Sequence, residues 1–278
     1  MKVKQSLEYI ESKLASQEGK DDARYLLSFV LQKSFTWLKT WPEELLTSEQ
    51  QTQLESLIER RASGEPIAYI TGERDFWTLT LKTNPSTLIP RPETELLVEK
   101  AIEFLDGLPS KENKILDLGT GTGVIALAIA SERPKDKIIA CDFQLGAVEL
   151  AKENVKFNQI NNVEVVQSDW FSNVSDLDFD LIVSNPPYVE ENDPHLKQGD
   201  LVFEPNSALV AEDQGLADIK IIISKSVEFL VVGGQLMIEH GYNQASQLQA
   251  IFAEKGFSNI ETFQDLAGLD RITKGVKL

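Results

Sequence analysis

The segment Asn185-Pro186-Pro187-Tyr188 directly follows an apolar run, 179–184, that is typical of a buried strand. Pro186 and Pro187 have no backbone N–H and hold φ near about −65°, so the chain must leave the sheet and present bare carbonyls beside the Asn185 amide. A planar NH2 group carries two N–H donors, which the Asn185 side-chain oxygen and the Pro186 carbonyl can accept. The segment therefore predicts a seat for an amide or exocyclic amine, although a strand-ending turn uses the same residues.

A second segment with chemical potential is Gly119-Thr120-Gly121-Thr122-Gly123, between an apolar strand pattern and an apolar helical pattern. Glycines let a ligand contact the backbone, and a nucleotide-like ligand binds at the carboxyl end of the first strand of a parallel sheet. Asp142 ends the next predicted strand, about 20 residues further on, where an acid accepts hydrogen bonds from ribose hydroxyls. This spacing suits a dinucleotide or S-adenosylmethionine.

Two features favour S-adenosylmethionine. Asp117 precedes the glycines, and a carboxylate there suits a cationic amino-acid tail but repels a pyrophosphate. The Asn185 segment would also hold an amine for methyl transfer to nitrogen. Trp170, after the third predicted strand, is a candidate adenine contact, with core packing as the equal alternative.

The surrounding pattern predicts the elements that position these residues. Residues 1–65 show short amphipathic helices. Thr47 or Ser48, with Gln50 or Gln51 three residues on, forms a capping-box pattern for one of them. From residue 67 to residue 88 the pattern favours strands, with 76–81 alternating as one strand of a hairpin.

After residue 90, helices and strands alternate, which predicts an α/β fold with a doubly wound, mostly parallel sheet. We expect its strands at 114–118, 137–142, 163–167, 179–184 and 235–239. Two further strands, joined by a glycine-bearing loop, are expected near the C-terminus.

Charge and composition limit the partners. Residues 1–85 hold 11 lysines and arginines against 13 acidic residues, and the remainder holds 16 against 31, within a net charge of −17. Nucleic-acid binders usually carry a basic surface, so we expect no direct nucleic-acid binding.

A single cysteine and the lack of a long apolar stretch predict a cytoplasmic protein without membrane contact. His195 and His240 have no cysteines at ligand spacing, so no metal site is expected.

Several motifs together resemble the HemK/PrmC family, the peptide chain release factor glutamine N5-methyltransferases. They begin near Gly64, and the helical N-terminus matches by architecture alone. The motifs are Gly64-Glu65-Pro66-Ile67-Ala68-Tyr69-Ile70-Thr71-Gly72, Phe76-Trp77, Leu88-Ile89-Pro90-Arg91-Pro92-Glu93-Thr94-Glu95, Asp117-Leu118-Gly119-Thr120-Gly121-Thr122-Gly123, Asn185-Pro186-Pro187-Tyr188, Phe203-Glu204-Pro205, Asp213-Gln214-Gly215-Leu216, Glu239-His240-Gly241 and Asp265-Leu266-Ala267-Gly268 with Asp270-Arg271. The residues at 206–207 and 211–212 depart from the expected pattern.

The resemblance implies a Rossmann-like class I methyltransferase domain at 91–278, a substrate-docking helical bundle at 1–65 and a β-hairpin linker at 66–90. It implies transfer of a methyl group from S-adenosyl-L-methionine to the side-chain nitrogen of the glutamine in a Gly-Gly-Gln motif of release factors. S-adenosyl-L-homocysteine would be the second product.

The resemblance also implies roles for individual residues. Gly119, Thr120, Gly121, Thr122 and Gly123 would contact the methionyl part of the cofactor, Asp142 its ribose, and Trp170 its adenine. Asn185, Pro186, Pro187 and Tyr188 would bind the glutamine, with Asn185, Pro186 and Tyr188 catalytic and Asn185 also touching the cofactor. The segment 89–95 would line the same cavity.

Three alternatives stay open at this stage. An amino-methyltransferase of nucleic acid would use the same Asn185 segment, but the acidic charge disfavours it. A glutamine methyltransferase of a ribosomal protein would have nearly identical catalytic motifs. A Rossmann oxidoreductase or a non-catalytic nucleotide-binding module would give Asn185-Pro186-Pro187-Tyr188 no purpose.

Overall fold

The computed structural model describes residues 1–14, 19–109 and 112–278. Its contacts divide the chain into two compact units, one of Met1–Glu73 with Lys197–Phe203, and one of Arg74–Leu196 with Glu204–Leu278. Within the described ranges, no helix combines the length and apolarity that a membrane crossing would require.

The first unit is helical. Its helices are α1 (Val3–Lys13), α2 (Gly19–Leu31), α3 (Phe35–Thr40), α4 (Ser48–Ala62) and α5 (Ile67–Thr71). Leu26, Leu27 and Leu54 are among the side chains that form its apolar core. The predicted capping box is confirmed, because Thr47 accepts a hydrogen bond from the Gln50 N–H while the Gln50 side chain accepts one from the Thr47 N–H.

The hairpin differs from its prediction in two places. Residues 67–71 form helix α5 and not a strand, and Gly72 ends this helix in the left-handed region at φ 73°. The strands are β1 (Glu73–Phe76) and β2 (Leu79–Lys82), so the alternating run 76–81 is not one strand. Trp77 lies between the two strands at φ 56°, where the backbone reverses direction despite the strand-like pattern.

The second unit contains the predicted sheet. Its elements are α6 (Glu95–Asp106), β3 (Lys114–Leu118), α7 (Val124–Glu132), β4 (Lys137–Asp142), α8 (Leu145–Phe157), β5 (Val163–Gln167), β6 (Phe179–Ser184), α9 (Glu212–Gly215), α10 (Ala217–Phe229), β7 (Leu230–Glu239), α11 (Ala245–Glu254), β8 (Phe257–Gln264) and β9 (Asp270–Lys277). Short 3-10 helices at Pro92–Thr94, Pro194–Lys197, Gly199–Phe203 and Asn206–Ala208 lie in the connections.

The strand order β5-β4-β3-β6-β7-β9-β8 confirms a doubly wound sheet. The first five strands in this order run parallel, and β9 is antiparallel to both of its neighbours. The order reverses between β3 and β6, which is the point where open α/β sheets bind ligands outside their carboxyl ends. The glycine loop follows β3 and Asn185 follows β6, so both segments leave the sheet at this point.

Strand β7 begins at Leu230 and not at residue 235. Leu230 pairs with Phe179, the register then shifts, and Gln235 pairs with Leu181. Gly233, at φ 83°, lies in this irregular stretch. Because the glycine interrupts the apolar pattern, the sequence did not predict the first half of the strand.

Asn154 joins three parts of the second unit. Its side chain is fully buried and exchanges hydrogen bonds of 2.6 and 3.0 Å with the backbone of Lys82 in β2. Its Nδ2 also donates to the carbonyl of Thr122, at 2.9 Å, in the glycine loop. This helix α8 residue therefore holds both the hairpin and the loop.

We expect Asn154→Ala to lower the free energy of unfolding by about 2–3 kcal/mol, because buried backbone groups lose their partners. Urea denaturation of the purified chain measures this loss. The control is Asn161→Ala, whose exposed side chain bonds only a nearby carbonyl and should change stability by less than about 0.5 kcal/mol. Equal stabilities of the two variants would contradict this role of Asn154.

Candidate active site

The glycine loop presents its backbone after β3. The N–H groups of Gly119 and Thr120 both donate to the Cys141 carbonyl at 2.9 Å, which ties the loop to the end of β4. Gly119 has φ 71°, and a Cβ there would lie 3.4 Å from the Trp170 ring. Gly121 has φ 56°, and its nearest contact for a Cβ is 4.0 Å away. Glycine at these positions allows a left-handed backbone and leaves it open to a ligand.

Asp117 is fully buried next to this loop. The loop lines a cavity, but Asp117 does not. Its Oδ2 accepts hydrogen bonds from the Thr120 hydroxyl at 2.5 Å and from the Ala126 N–H at 3.2 Å. Complete burial raises its pKa to about 7, against the effect of these bonds. Oδ1 has no hydrogen-bond partner in the described structure, so the carboxylate keeps acceptor capacity.

Asp142 lies at the end of β4 and lines the cavity. Its two carboxylate oxygens accept one backbone hydrogen bond each, from Gly121 and from Gln144, both at 2.9 Å. Burial raises the pKa of Asp142, while the hydrogen bonds from Gln144 and Gly121 oppose the shift. Each oxygen retains a lone pair, so the side chain can accept from hydroxyl groups in the cavity as well.

Trp170 lines the cavity in an unusual backbone conformation, with φ 46°. Its carbonyl accepts a hydrogen bond of 2.7 Å from the Ser168 hydroxyl. Burial raises the pKa of the Asp218 carboxyl, and the nearby Trp170 side chain opposes this shift. Asp218 lines the cavity too.

The Asn185 segment follows strand β6 and contributes to the same cavity. Asn185 and Pro187 line the cavity, whereas Pro186 is buried and, like Tyr188, is not among the lining residues. The Asn185 Nδ2 donates to the Thr94 hydroxyl oxygen at 3.3 Å. The Tyr188 hydroxyl lies 3.5 Å from Oε1 of Glu239, as a long hydrogen bond.

All these lining residues share one cavity of about 390 Å³, within the size range of small-molecule sites. It contains the predicted Gly119, Thr120, Gly121, Thr122, Asp142, Trp170, Asn185 and Pro187. Gly123 lies outside it, where it caps helix α7 and a Cβ would crowd Leu127 at 3.1 Å. The segment 89–95 contributes Pro90, Arg91 and Thr94.

Glu204 fastens two lining segments together. Its buried carboxylate accepts from the Ile89 N–H at 3.0 Å and pairs with Arg91 at 2.5 Å. Ser207 and Ala208, which follow it, line the same cavity as Arg91. The ion pair joins positions more than a hundred residues apart in the sequence.

Glu239 is a further buried acid beside the Asn185 segment. Burial raises its pKa to about 7, while the nearby Thr94 hydroxyl and the positive charge of Arg271 oppose this shift. Burial raises the pKa of Tyr188, and the negative charge of Glu239 raises it further. The sequence placed Glu239 in a family motif without a role, and nothing in the sequence pairs it with Thr94.

The two histidines lie outside this site. His240 is fully buried, with its ring nitrogens against the Gly241 carbonyl and the Thr273 hydroxyl. His195 is exposed beside Asp193. In the part of the chain that the structure describes, no three histidine, cysteine or acidic side chains form a group that could hold a metal ion.

Comparisons with known proteins agree with this geometry. The family model "PrmC N-terminal domain" matches residues 5–72, and "Methyltransferase small domain" matches residues 94–213. A crystal structure of a methyltransferase from Pyrococcus furiosus has the same fold, with a TM-score of 0.53 at 17% identity, over 83% of this chain and 99% of that one.

Two curated relatives cover nearly the full length. A protein from Aliivibrio fischeri named release factor glutamine methyltransferase is 54% identical over 93% of this chain and 92% of its own length. An Escherichia coli protein of the same name is 49% identical over 96% of both chains. The chain therefore belongs to the release factor glutamine methyltransferase family.

Proposed function

We propose that this protein transfers a methyl group from S-adenosylmethionine to the side-chain amide nitrogen of a glutamine, the one in the Gly-Gly-Gln motif of peptide chain release factors. The observation that carries the proposal is one cavity lined by both the glycine loop and Asn185 at the switch point of the sheet. Family membership supplies the substrate class.

The residues of the cavity fit the proposed cofactor. The open backbone at Gly119 and Gly121 accepts the methionyl part, and the spare lone pairs of Asp142 accept the ribose hydroxyls. Trp170 and Asp218 both line the cavity, and the Trp170 ring would contact the adenine. The unpartnered Oδ1 of Asp117, just below the loop, adds negative potential for a cationic tail. When bound, S-adenosylmethionine supplies an electrophilic methyl group on its sulfonium and becomes S-adenosylhomocysteine.

The glutamine nitrogen needs help because its lone pair is delocalised into the carbonyl. Asn185 Oδ1 and the Pro186 carbonyl would each accept one N–H, which draws electron density onto the nitrogen and fixes its orientation. Pro187 lines the cavity beside them, and the Tyr188 ring would pack against the substrate while its hydroxyl is held by Glu239. The methylated nitrogen is strongly acidic, so water or a carbonyl suffices to take its proton.

The same proposal assigns roles to the segments of the chain. Residues 1–65 would dock the protein substrate, 66–90 would link, and 91–278 would carry the chemistry. The near-neutral charge of the N-terminal part beside the acidic remainder supports this division and a protein partner over a nucleic acid. Because release factors work on the ribosome, the reaction belongs in the cytoplasm, away from any membrane.

The test offers labelled S-adenosylmethionine with four acceptors in parallel: an intact release factor, a short peptide with its Gly-Gly-Gln motif, a ribosomal protein and duplex DNA. We expect strong labelling of the intact factor, weaker labelling of the peptide and background labelling of the others. Label in the ribosomal protein or the DNA, with the release factor at background, would overturn the substrate assignment. Equal labelling of the peptide and the intact factor would overturn the docking role.

A further inference from the structure

Building on the proposed function, we propose that Thr94 and Glu239 are positioning residues, which hold the Asn185 side chain with its nitrogen toward the protein and its oxygen toward the cavity. Only this orientation presents an acceptor to the substrate NH2 group. In the reversed orientation, the Asn185 NH2 group would face the substrate NH2 group, and neither could accept a hydrogen bond from the other.

The contacts form a short chain of side chains. Thr94 is buried, and its hydroxyl oxygen lies 3.3 Å from the Asn185 nitrogen. Thr94 and Asn185 are close enough to Glu239 for both to favour its charged form. Glu239 is buried, and its Oε2 has no partner within hydrogen-bond distance in the described structure, which leaves acceptor capacity for the Thr94 proton.

The direction of each hydrogen bond follows from the carboxylate. A hydroxyl can donate or accept, so Thr94 alone would tolerate either orientation of the Asn185 amide. An ionised carboxylate only accepts hydrogen bonds, so the unpartnered Oε2 of Glu239 would accept one from the Thr94 hydroxyl. The Thr94 oxygen would then be left to accept a hydrogen bond itself. The group that faces this oxygen must then be the Asn185 NH2.

The charges around Glu239 determine whether it is ionised, and therefore how strongly it favours one orientation of the Asn185 amide. Arg271 favours the ionised carboxylate, while Glu93 and burial oppose it, and Tyr188 places its hydroxyl on Oε1. With a pKa of about 7, Glu239 changes charge near neutral pH. A protonated Glu239 can donate to Thr94 or Asn185, which removes the preference for one amide orientation.

The first test replaces Thr94 with valine and with serine in the full chain. Thr94→Val keeps the shape but removes the hydroxyl, and we expect kcat to fall about 10- to 100-fold with the KM for release factor changed less than about threefold. Thr94→Ser keeps the hydroxyl and should restore kcat to within about threefold of the wild type. A merely structural role would lower the melting temperature of Thr94→Val without this split between kcat and KM.

The second test uses Glu239→Gln, which presents both a donor and an acceptor and so cannot impose a direction. We expect a similar loss of kcat. The wild-type kcat should rise as pH increases through about 7, because the ionised form of Glu239 is the active one, and the variant should lose the part of this rise that Glu239 contributes. Asp117, with a similar pKa, is present in both proteins and so cancels in the comparison.

Asn185→Ala in the same assays separates this inference from the function beneath it. Loss of activity in Asn185→Ala, with full kcat in folded Thr94→Val or an unchanged pH profile in Glu239→Gln, would overturn the positioning roles alone. Full activity of Asn185→Ala would instead overturn the role of the amide on which they depend.

Discussion

Asn185→Ala is expected to lower kcat by about 10²- to 10³-fold while the Kd for S-adenosylmethionine stays within about threefold. The variant removes the one side-chain acceptor that the Asn185 segment presents to the cavity. The delocalised amide nitrogen would then lose both orientation and electron density. Single-turnover transfer to a release factor measures the first effect, and titration calorimetry measures the second.

Asn185→Asp provides the matched control, since it keeps the acceptor oxygen but replaces the nitrogen that faces Thr94. A carboxylate in that place would repel Glu239, so this variant should also lose turnover while it binds cofactor. If Asn185→Ala keeps near-wild-type turnover on a release factor, the amide does not hold the substrate nitrogen.

Asp142→Ala should act on the other side of the cavity. We expect its Kd for S-adenosylmethionine to rise about 10- to 100-fold, because the loss of one hydrogen bond from a ribose hydroxyl to a charged acceptor costs about 1.5–3 kcal/mol. Part of the loss arises from the loop itself, since the N–H groups of Gly121 and Gln144 also lose their acceptor. At saturating cofactor, kcat should recover more fully than in Asn185→Ala.

Calorimetry on Asp142→Ala and on Glu149→Ala measures this effect. Glu149 is exposed on helix α8, so its replacement makes the same change in net charge without touching the cavity. Unchanged cofactor affinity in Asp142→Ala would exclude the ribose assignment. An equal loss in Glu149→Ala would assign the effect to overall charge.

The fold was predictable where the sequence pattern is local. Apolar runs and the turn residues after them marked strands β3 to β6 at the bounds that the structure shows, and the order of helices and strands indicated the doubly wound sheet. The prediction was wrong at Trp77, where the backbone reverses direction within an alternating run. It was also wrong at 67–71, because so short a run of apolar and polar residues is compatible with a helical turn as well as with a strand.

The site was predictable where its residues follow strands. Gly119, Asp142, Trp170 and Asn185 end or follow β3, β4, β5 and β6, so the topology gathers them at one edge of the sheet. Their partners could not be found this way. Asn185 bonds Thr94, and Glu204 pairs with Arg91, across separations that only the tertiary structure closes.

The central claim is that this cavity delivers a methyl group to a glutamine side-chain nitrogen. Fragmentation mass spectrometry of a release factor, after reaction with isotope-labelled S-adenosylmethionine, tests it most directly. We expect one labelled methyl group on the glutamine of the Gly-Gly-Gln motif, released as labelled methylamine on acid hydrolysis. A label on another residue, or one that acid does not release as methylamine, would exclude glutamine N-methylation by this protein.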